Sequence, residues 1–501
     1  MVVAPILSAA CHEITGTKIR ESPPDTVTVR RLVEIYQNLE NGQMQEWEAT
    51  LGMPVGLYTQ QIAGVQAQPR QFDLYQFLAA DADPGFQSIV MSASNARTLQ
   101  TLGHKINDSL WIGIGKVWEA AAAGDAASIW GAIPYTQAFD RSHYPDPVFD
   151  PQPTVYQMVA AQLDSAIGVY LAARPGPRHG PDTAELIYRG QPPESLATIY
   201  TEVAHTLRAR YDLHQAGANP AYFALALQEA QQGISDPRHD WNWYNDGSET
   251  QNNATYSLVT GHSAGQLAPS ATLINLMHQR IAEGLDTATD RLNFYFVDTA
   301  NTSIACDSMC HGYRPGGDVA EAGGGGTSDF NLLNYGAGFR QPYVTWTETQ
   351  LILAEAALAT GNALLAQRAL TAVRAHEVYG ADVSGDRLAS GAVACGGPCM
   401  FHPQPPVAAT LQNIIEEKYI DLFLSAEVWS DFRRTCLPYI AAAPATVADS
   451  VPRPGGLPER FPYGQTIAGD KNAPNVGPNA HNADSPRVCP SYAFFGHPAA
   501  Y

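Results

Sequence analysis

Apolar residues recur at spacings of three and four in segment after segment of this chain. That period commits most of the chain to amphipathic helices, each of which must bury one face. Val29, Leu32, Val33, Tyr36 and Leu39 make the first such face, with Thr26 or Thr28 as its cap. The spacing predicts a long helix over 96–123, carrying Leu99, Leu102, Ile106, Leu110, Ile114 and Val117 and ended by Gly124-Asp125. Further helices are predicted over 154–173 (Val155, Met158, Val159, Leu163, Ile167, Leu171) and 194–216 (Ile199, Val203, Leu207, Tyr211, His214), with Pro220 opening the next. A pair over 343–359 and 363–379 turns at Gly361, and a last helix over 411–434 carries Ile415, Tyr419, Leu422, Phe423 and Trp429. Between these, 55–86 reads as loop and turn, with Pro69 and the aromatics Tyr58, Phe72, Tyr75 and Phe77.

Several of these segments form short pairs with small residues on the contact face, notably Ala354, Ala356, Ala357 and Ala359. Small residues let helices approach closely, as in tetratricopeptide-like stacks, although no strict 34-residue repeat is present. The expected fold is mainly α: a tetratricopeptide-like scaffold of helical hairpins with long ligand-binding loops and minor β-hairpins. Residues 1–25 read as a signal remnant and tether. Residues 26–501 read as a single domain, with a loop-rich binding insertion at about 218–340 and a Pro/Gly-rich tail at 440–501.

A chain of 501 residues can bury a large core without a metal or staples. Its 36 prolines and 42 glycines fit long loops around that core. The formal charge of −20 excludes binding to nucleic acid through phosphate neutralisation and docking on anionic lipid through a basic patch. Of the seven cysteines, six fall into pairs: Cys306 with Cys310, Cys395 with Cys399, and Cys436 with Cys489 by elimination. Oxidised pairs fit an exported chain, and the wide separation of the two Cys-x3-Cys motifs speaks against zinc. Cys11 remains, preceded by Leu7-Ser8-Ala9-Ala10; an apolar stretch ending in small residues before a cysteine reads as a bacterial lipoprotein signal, with Cys11 lipidated.

Gly261-His262-Ser263-Ala264-Gly265 matches the nucleophile-elbow pattern, between a predicted strand at 256–260 and a helix-like run at 271–281. No βαβ alternation surrounds it, so a serine hydrolase using Ser263 is the minor alternative. Gly323 to Gly326 lacks the Lys-Ser/Thr of a phosphate loop. Glu416 and Glu417 read as solvated helix surface, whereas Glu355, Arg374 and Arg434, on apolar faces, read as structural ion pairs. Asp240, Asp246 and Glu249 lack the alternation of a calcium loop, and no metal or cofactor is expected. His239 to Asp246 packs Trp241, Trp243 and Tyr244 among Asn245, Asp246 and other polar residues. Flat rings beside amides and carboxylates suit the apolar faces and hydroxyls of a sugar, or a peptide. Tyr58, Tyr75 and Tyr313 are further ligand-binding candidates.

The chain also resembles the SusD/RagB family of nutrient-binding outer-membrane lipoproteins. The resemblance is carried in order by Tyr58–Gly64 with Phe72–Tyr75, by Trp130–Ala138 (the family's "(Y/W)GDVPYTEA" turn), by Val155-Tyr156 with Leu163–Ile167, and by Ala204–Arg210. It continues through Asp286–Arg291, Tyr343–Ala356, Ala372–Arg374 and Glu416–Arg434. Departures are Ala132, where an acidic residue is common, and Ser425–Trp429, where the family has "EG.R". The resemblance implies a non-catalytic, cell-surface protein that binds oligosaccharide or oligopeptide on its loops. It also implies a lipid anchor and a TonB-dependent, SusC-like barrel as transport partner. A helical interaction scaffold without a small ligand is the remaining alternative.

Overall fold

The computed structural model describes residues 29–40, 47–76, 78–140, 142–172, 178–181, 184–248, 251–260, 265–287, 290–297, 310–317, 328–332, 336–376, 404–438, 440, 460–468 and 471–474, with Val29, Glu48, Ala49, Asp290 and Ala468 described by backbone alone. In chain order the helices are α1 Val29–Asn38, a π-helical turn Glu48–Gly52 leading into α2 Met53–Tyr58, α3 Ala67–Asp73, α4 Ala79–Ile106, α5 Ser109–Trp130, and α6 Gln152–Ser165 extended by a π-helical Ala166–Leu171. They continue with α7 Pro193–Ala216, α8 Ala221–Ala230, α9 Ala254–Thr260, α10 Ala271–Ala282, α11 Asp290–Tyr295, α12 Trp346–Ala359, α13 Ala363–Ala375, α14 Leu411–Asp421, α15 Ala426–Thr435 and α16 Gln465–Ala468. The fold is mainly α, as the periodicity predicts. Strands are short and pair antiparallel across long stretches of sequence: β1 Ile62–Gly64 with β3 Leu267–Pro269, β2 Trp241–Asn242 with β6 Pro342–Val344, and β4 Phe296–Val297 with β5 Asp329–Phe330.

The predicted helix over 96–123 is two helices. Asn107 takes a left-handed φ of 56° and ends α4, and the Asp108 carboxylate restarts the chain by accepting the Leu110 N–H at 3.0 Å. Gly124 does not end α5. It lies inside the helix, where a Cβ would meet the Tyr211 ring at 2.2 Å, so the glycine admits a neighbouring side chain. The last predicted helix also splits, at Leu424 (φ 62°), and Ser425 caps α15 by accepting the Glu427 N–H at 3.2 Å. The stretch 55–86 is largely helical rather than loop. Its α4 begins where Asp81 reaches back to the Leu78 N–H at 2.9 Å, one half of a capping box.

The hairpin α12–α13 forms as the sequence predicts, except that Tyr343 and Val344, expected in its first helix, belong to β6. Thr345 caps the first helix, Gly361 turns at φ 82°, and Asn362 caps the second. Ala354, Ala356 and Ala357 are fully buried in its seam. Helix α5 is buried from Leu110 to Trp130 except at Lys116, because its sequence is apolar nearly all round. Around it pack α4, α6, α7 and α15.

The ion pairs predicted at Glu355, Arg374 and Arg434 are present. Arg434 pairs with Glu355 and Asp431, while Lys418 reaches Glu355 (3.3 Å) and Asp431 (3.2 Å). Arg374 meets Glu417 at 2.7 Å and Asp286 at 3.0 Å. Glu416 and Glu417, expected on a solvated surface, are instead buried. Both accept from Arg280, at 2.6 and 3.0 Å, because α14 is buried at every residue from Ile414 to Asp421. Arg210 likewise clamps Glu348 through two bonds of 2.6 and 2.7 Å.

The strand predicted at 256–260 is helix α9, so the strand-turn-helix that a nucleophile elbow needs is not formed. The sheets among the described residues are antiparallel and two-stranded. Ser263 itself, Gly323–Gly326, Glu249, Cys11, Cys306, Cys395, Cys399 and Cys489 lie outside the described residues. Cys310 and Cys436 are described and are disulfide-bonded.

Beside α5, His214 is enclosed. Its Nδ1 lies 3.1 Å from Ser128 Oγ and 3.2 Å from the Tyr156 hydroxyl, and its Nε2 lies 2.9 Å from Glu427. Burial, with the nearby Arg434, Arg210 and Arg433 guanidiniums, lowers its pKa to about 3.

Two outcomes are expected. Arg210→Met strands the buried Glu348 carboxylate and should lower the unfolding free energy by about 3–5 kcal/mol, read in urea. Unfolded His214 takes up a proton below its ordinary pKa of about 6.5, whereas folded His214 resists until about 3, so its contribution to stability falls as pH drops through that window. Urea midpoints should therefore decline less between pH 7 and pH 5 in His214→Gln than in the parent chain; equal declines would refute the assignment.

Candidate functional site

The aromatic segment expected to face ligand is a piece of core. Trp241 lies in β2 opposite Val344 of β6 and is fully buried, its ring edge-on to Trp118 at 4.7 Å and to Tyr343 at 5.3 Å. Trp243 is buried against Trp47 and Tyr343. The buried Tyr244 ring lies within 5.5 Å of the Arg189 guanidinium and 4.9 Å of that of Arg340, and its hydroxyl accepts from Arg189 at 2.8 Å. Asn245 is buried and donates to the Phe339 carbonyl at 2.8 Å. Tyr58 is ringed by Tyr75, Trp429 and Phe461, Tyr75 is buried beside it, and Tyr313 is buried against Ala63 and Val65. Of the eight ligand-binding candidates only Asp246 is exposed, and it accepts the Ser248 N–H at 2.8 Å in a turn. The expectation that these rings present faces to solvent is corrected. A segment without helical period can be a strand covered on both sides as well as a loop, and its partner β6 lies far along the chain. A void of about 20 Å³ beside Trp47 and Trp243 has room for one water, not a ligand.

An open cleft of about 570 Å³ lies elsewhere, between α4, α5 and α6. Arg97, Gln100, Thr101 and His104 line one wall, at the i, i+3, i+4, i+7 positions that share a helix face. Met158, Ala161 and Gln162 of α6 line the other, and Glu119 of α5 with Tyr135 makes the floor. Glu119 is buried, so its carboxylate requires donors. Oε1 accepts from Arg97 Nε at 2.7 Å and from the Tyr135 hydroxyl at 3.0 Å, and Oε2 accepts from Gln100 at 2.7 Å and Gln162 at 2.9 Å. Burial and the Glu119 charge hold the Tyr135 phenol well above its ordinary pKa, so it remains a donor.

The turn after α5 supplies Tyr135. Asp150 fixes that turn, accepting the N–H groups of Tyr135 (3.0 Å) and Thr136 (2.7 Å) and the Thr136 hydroxyl (2.8 Å). The same turn sets Phe139 at φ 71°, a left-handed conformation unusual for a bulky residue. Phe139 is 39% exposed, and its ring lies 4.5 Å from the guanidinium of the cleft residue Arg97. Sequence reasoning missed this cleft. The available signals were the polar residues Arg97, Gln100, Thr101 and His104 at the spacing of one face of α4 and the carboxylates of Glu119 and Asp125 inside the apolar α5.

The family model for starch-binding proteins associating with the outer membrane matches residues 24–464. The chain belongs to the SusD-like family. Members of this family are non-catalytic binding proteins, and the hydrolase alternative at Ser263 is set aside. The SusD-like fold recurs in solved structures at low identity. A SusD/RagB protein of Bacteroides thetaiotaomicron is 15% identical, with TM-score 0.65 over 93% of this chain and 97% of that one. A SusD homologue of Bacteroides fragilis is 16% identical, with TM-score 0.66 over 91% and 98%. A SusD homologue of Flavobacterium johnsoniae described as chitin-binding is 16% identical, with TM-score 0.66 over 94% and 100%. No curated protein matches the chain. Among the described residues, no helix of this SusD-like protein is long and apolar enough to cross a membrane, and no group of three or more His, Cys, Asp or Glu could hold a metal.

Proposed function

We propose that this SusD-like protein captures an oligosaccharide in the cleft between α4, α5 and α6 and delivers it to a TonB-dependent, SusC-like outer-membrane transporter. The cleft carries the reading. Its volume falls in the range of small-molecule sites. Its polar groups are held in place by Glu119, and the partly exposed Phe139 ring lies beside the cleft residue Arg97. Sugars present hydroxyls around apolar C–H faces, and amides, a guanidinium and an exposed ring match both. The family's starch-binding description and the chitin-binding structural neighbours support a glycan over an oligopeptide.

The protein acts as a surface-exposed lipoprotein anchored through Cys11, with disulfides Cys306–Cys310, Cys395–Cys399 and Cys436–Cys489. Residues 26–501 form one SusD-like domain. The buried rings Trp241, Trp243, Tyr244, Tyr58, Tyr75 and Tyr313 and the buried amide of Asn245 hold the scaffold, and Asp246 stands on its surface away from the core.

Calorimetric titration with malto-oligosaccharides, chito-oligosaccharides and a mixed peptide panel tests the reading. At least one glycan should bind. Phe139→Ala should weaken it by about 0.5–1.5 kcal/mol through lost stacking, and Gln162→Ala by a similar amount through a lost hydrogen bond, about 1 kcal/mol. Peptide binding without glycan binding, or glycan binding indifferent to both substitutions, would remove the cleft from consideration. A chain that binds neither class would be the scaffold alternative.

A further inference from the structure

Most buried carboxylates in this fold are matched by cations, as Glu417 is by three guanidiniums and Glu355 by Lys418 and Arg434. One pair is not. Glu40, just past the end of α1, and Glu185, between α6 and α7, are both buried and are hydrogen-bonded to each other. No Arg, Lys or His among the described residues pairs with either.

Donors are divided unequally between the two. Glu185 Oε1 accepts the N–H groups of Ile187 and Tyr188, both at 3.0 Å, and its Oε2 accepts the Tyr36 hydroxyl at 2.6 Å. That hydroxyl lies 2.6 Å from the Tyr200 hydroxyl, so Tyr200 of α7 donates to Tyr36 and Tyr36 to Glu185. Glu40 Oε2 accepts the Leu186 N–H at 3.2 Å, whereas its Oε1 has no donor. Two carboxylates cannot hydrogen-bond without a proton between them, and two like charges this close do not both ionise. The better-served Glu185 is the carboxylate and Glu40 the acid. Burial and the Glu185 charge hold Glu40 well above its ordinary pKa, outweighing the Tyr36 hydroxyl and the Leu186 N–H.

The surroundings supply no compensating charge. Tyr36 of α1, Tyr188 beside Glu185 and Tyr200 of α7 are all held above the ordinary phenol pKa by burial and stay neutral. Glu202 and Asp240, which act on Tyr188, are acidic, and His239 is spent on Glu202 at 2.6 Å. We infer that Glu40 and Glu185 share one proton and form a pH-sensitive latch that seats α1 on the 184–188 segment and α7. Helix α1 packs in turn on α4, which carries one wall of the cleft, and its Tyr36 meets Trp111 of α5 edge-on at 5.6 Å.

Unfolded Glu40 loses its proton near 4.5, whereas folded Glu40 keeps it well above that. The latch is therefore at full strength below the unfolded pKa, and its contribution falls as pH rises toward the folded one. Beyond that, two buried carboxylates repel and the seat is lost.

Glu40→Gln replaces the acid O–H by an amide N–H, which keeps a donor toward Glu185 and removes the titration. Unfolding in urea is compared between the full parent chain and this variant. Between about pH 6 and pH 8 the parent's unfolding constant should rise about tenfold per pH unit relative to the variant's, the mark of one proton bound on folding. Hydrogen exchange of the α1 amides, referred to the chemical rate at each pH, should diverge in the same way. The infrared difference spectrum of the two native chains at neutral pH should contain the C=O stretch of a protonated carboxylic acid. Parallel pH dependence in the two chains, or carboxylate bands alone in the difference spectrum, would overturn the inference. So would a variant that does not fold, since a neutral isostere then fails where a neutral acid is assigned.

Discussion

Helix α5 is buried along almost its whole length, so the carboxylates and hydroxyl it carries have to be satisfied by neighbours. Those obligations position much of the scaffold. Glu119 draws Arg97 and Gln100 from α4, Gln162 from α6 and Tyr135 from the following turn. Asp125 takes the hydroxyls of Tyr211 in α7 and Tyr343 in β6, at 2.9 and 2.8 Å. Ser128 meets Tyr156 of α6 and His214 of α7, and the Trp130 indole donates to the Pro462 carbonyl near the C-terminal end of the described chain. A buried polar group without a partner is expensive. Each of these contacts therefore penalises any arrangement in which α4, α6, α7 or the tail slides along α5.

The C-terminal half uses charge where the N-terminal half uses hydroxyls and amides. Arg280 of α10, Arg291 of α11 and Arg374 of α13 converge on Glu417 of α14, with Asp286 held between the three guanidiniums. Burial raises the pKa of a carboxylate, yet Asp286 is held at about 2, because the surrounding Arg291, Arg280 and Arg374 charges outweigh desolvation. Such a cluster adds little net stability over a well-packed apolar one, but it is intolerant of losing a single member. Its effect is to fix how four helices meet at one point.

The sequence disclosed the helices whose faces and caps are local. Helix α7, the α12–α13 hairpin and the ion pairs of Glu355, Arg374 and Arg434 all followed from spacing within a few turns. The break between α4 and α5 was missed because apolar spacing runs on across Asn107-Asp108, although Asp108 is itself a good cap. The break at Leu424-Ser425 was missed in the same way. Trp241 was misplaced for a different reason. Its surroundings come from Trp118, Tyr200 and Tyr343, which lie far away in the chain, and nothing adjacent to it reveals that both faces are covered. The cleft is illegible on the same ground, since Arg97, Glu119, Tyr135 and Gln162 belong to four elements and acquire meaning only when those elements pack.

Phe139 shows how that packing converts a local pattern into a surface. A left-handed backbone at a bulky residue costs about 1–3 kcal/mol and persists only where its surroundings over-determine it. Here they do. Asp150 ties the turn at three points, Arg97 holds the ring from one side, and Arg97 is itself pinned by Glu119. An exposed phenyl recovers little of that strain through burial, so the arrangement is not what minimising the energy of the isolated turn would select. The chain thus runs from one buried carboxylate in α5, through a fixed guanidinium of the cleft wall, to a partly exposed aromatic ring beside it.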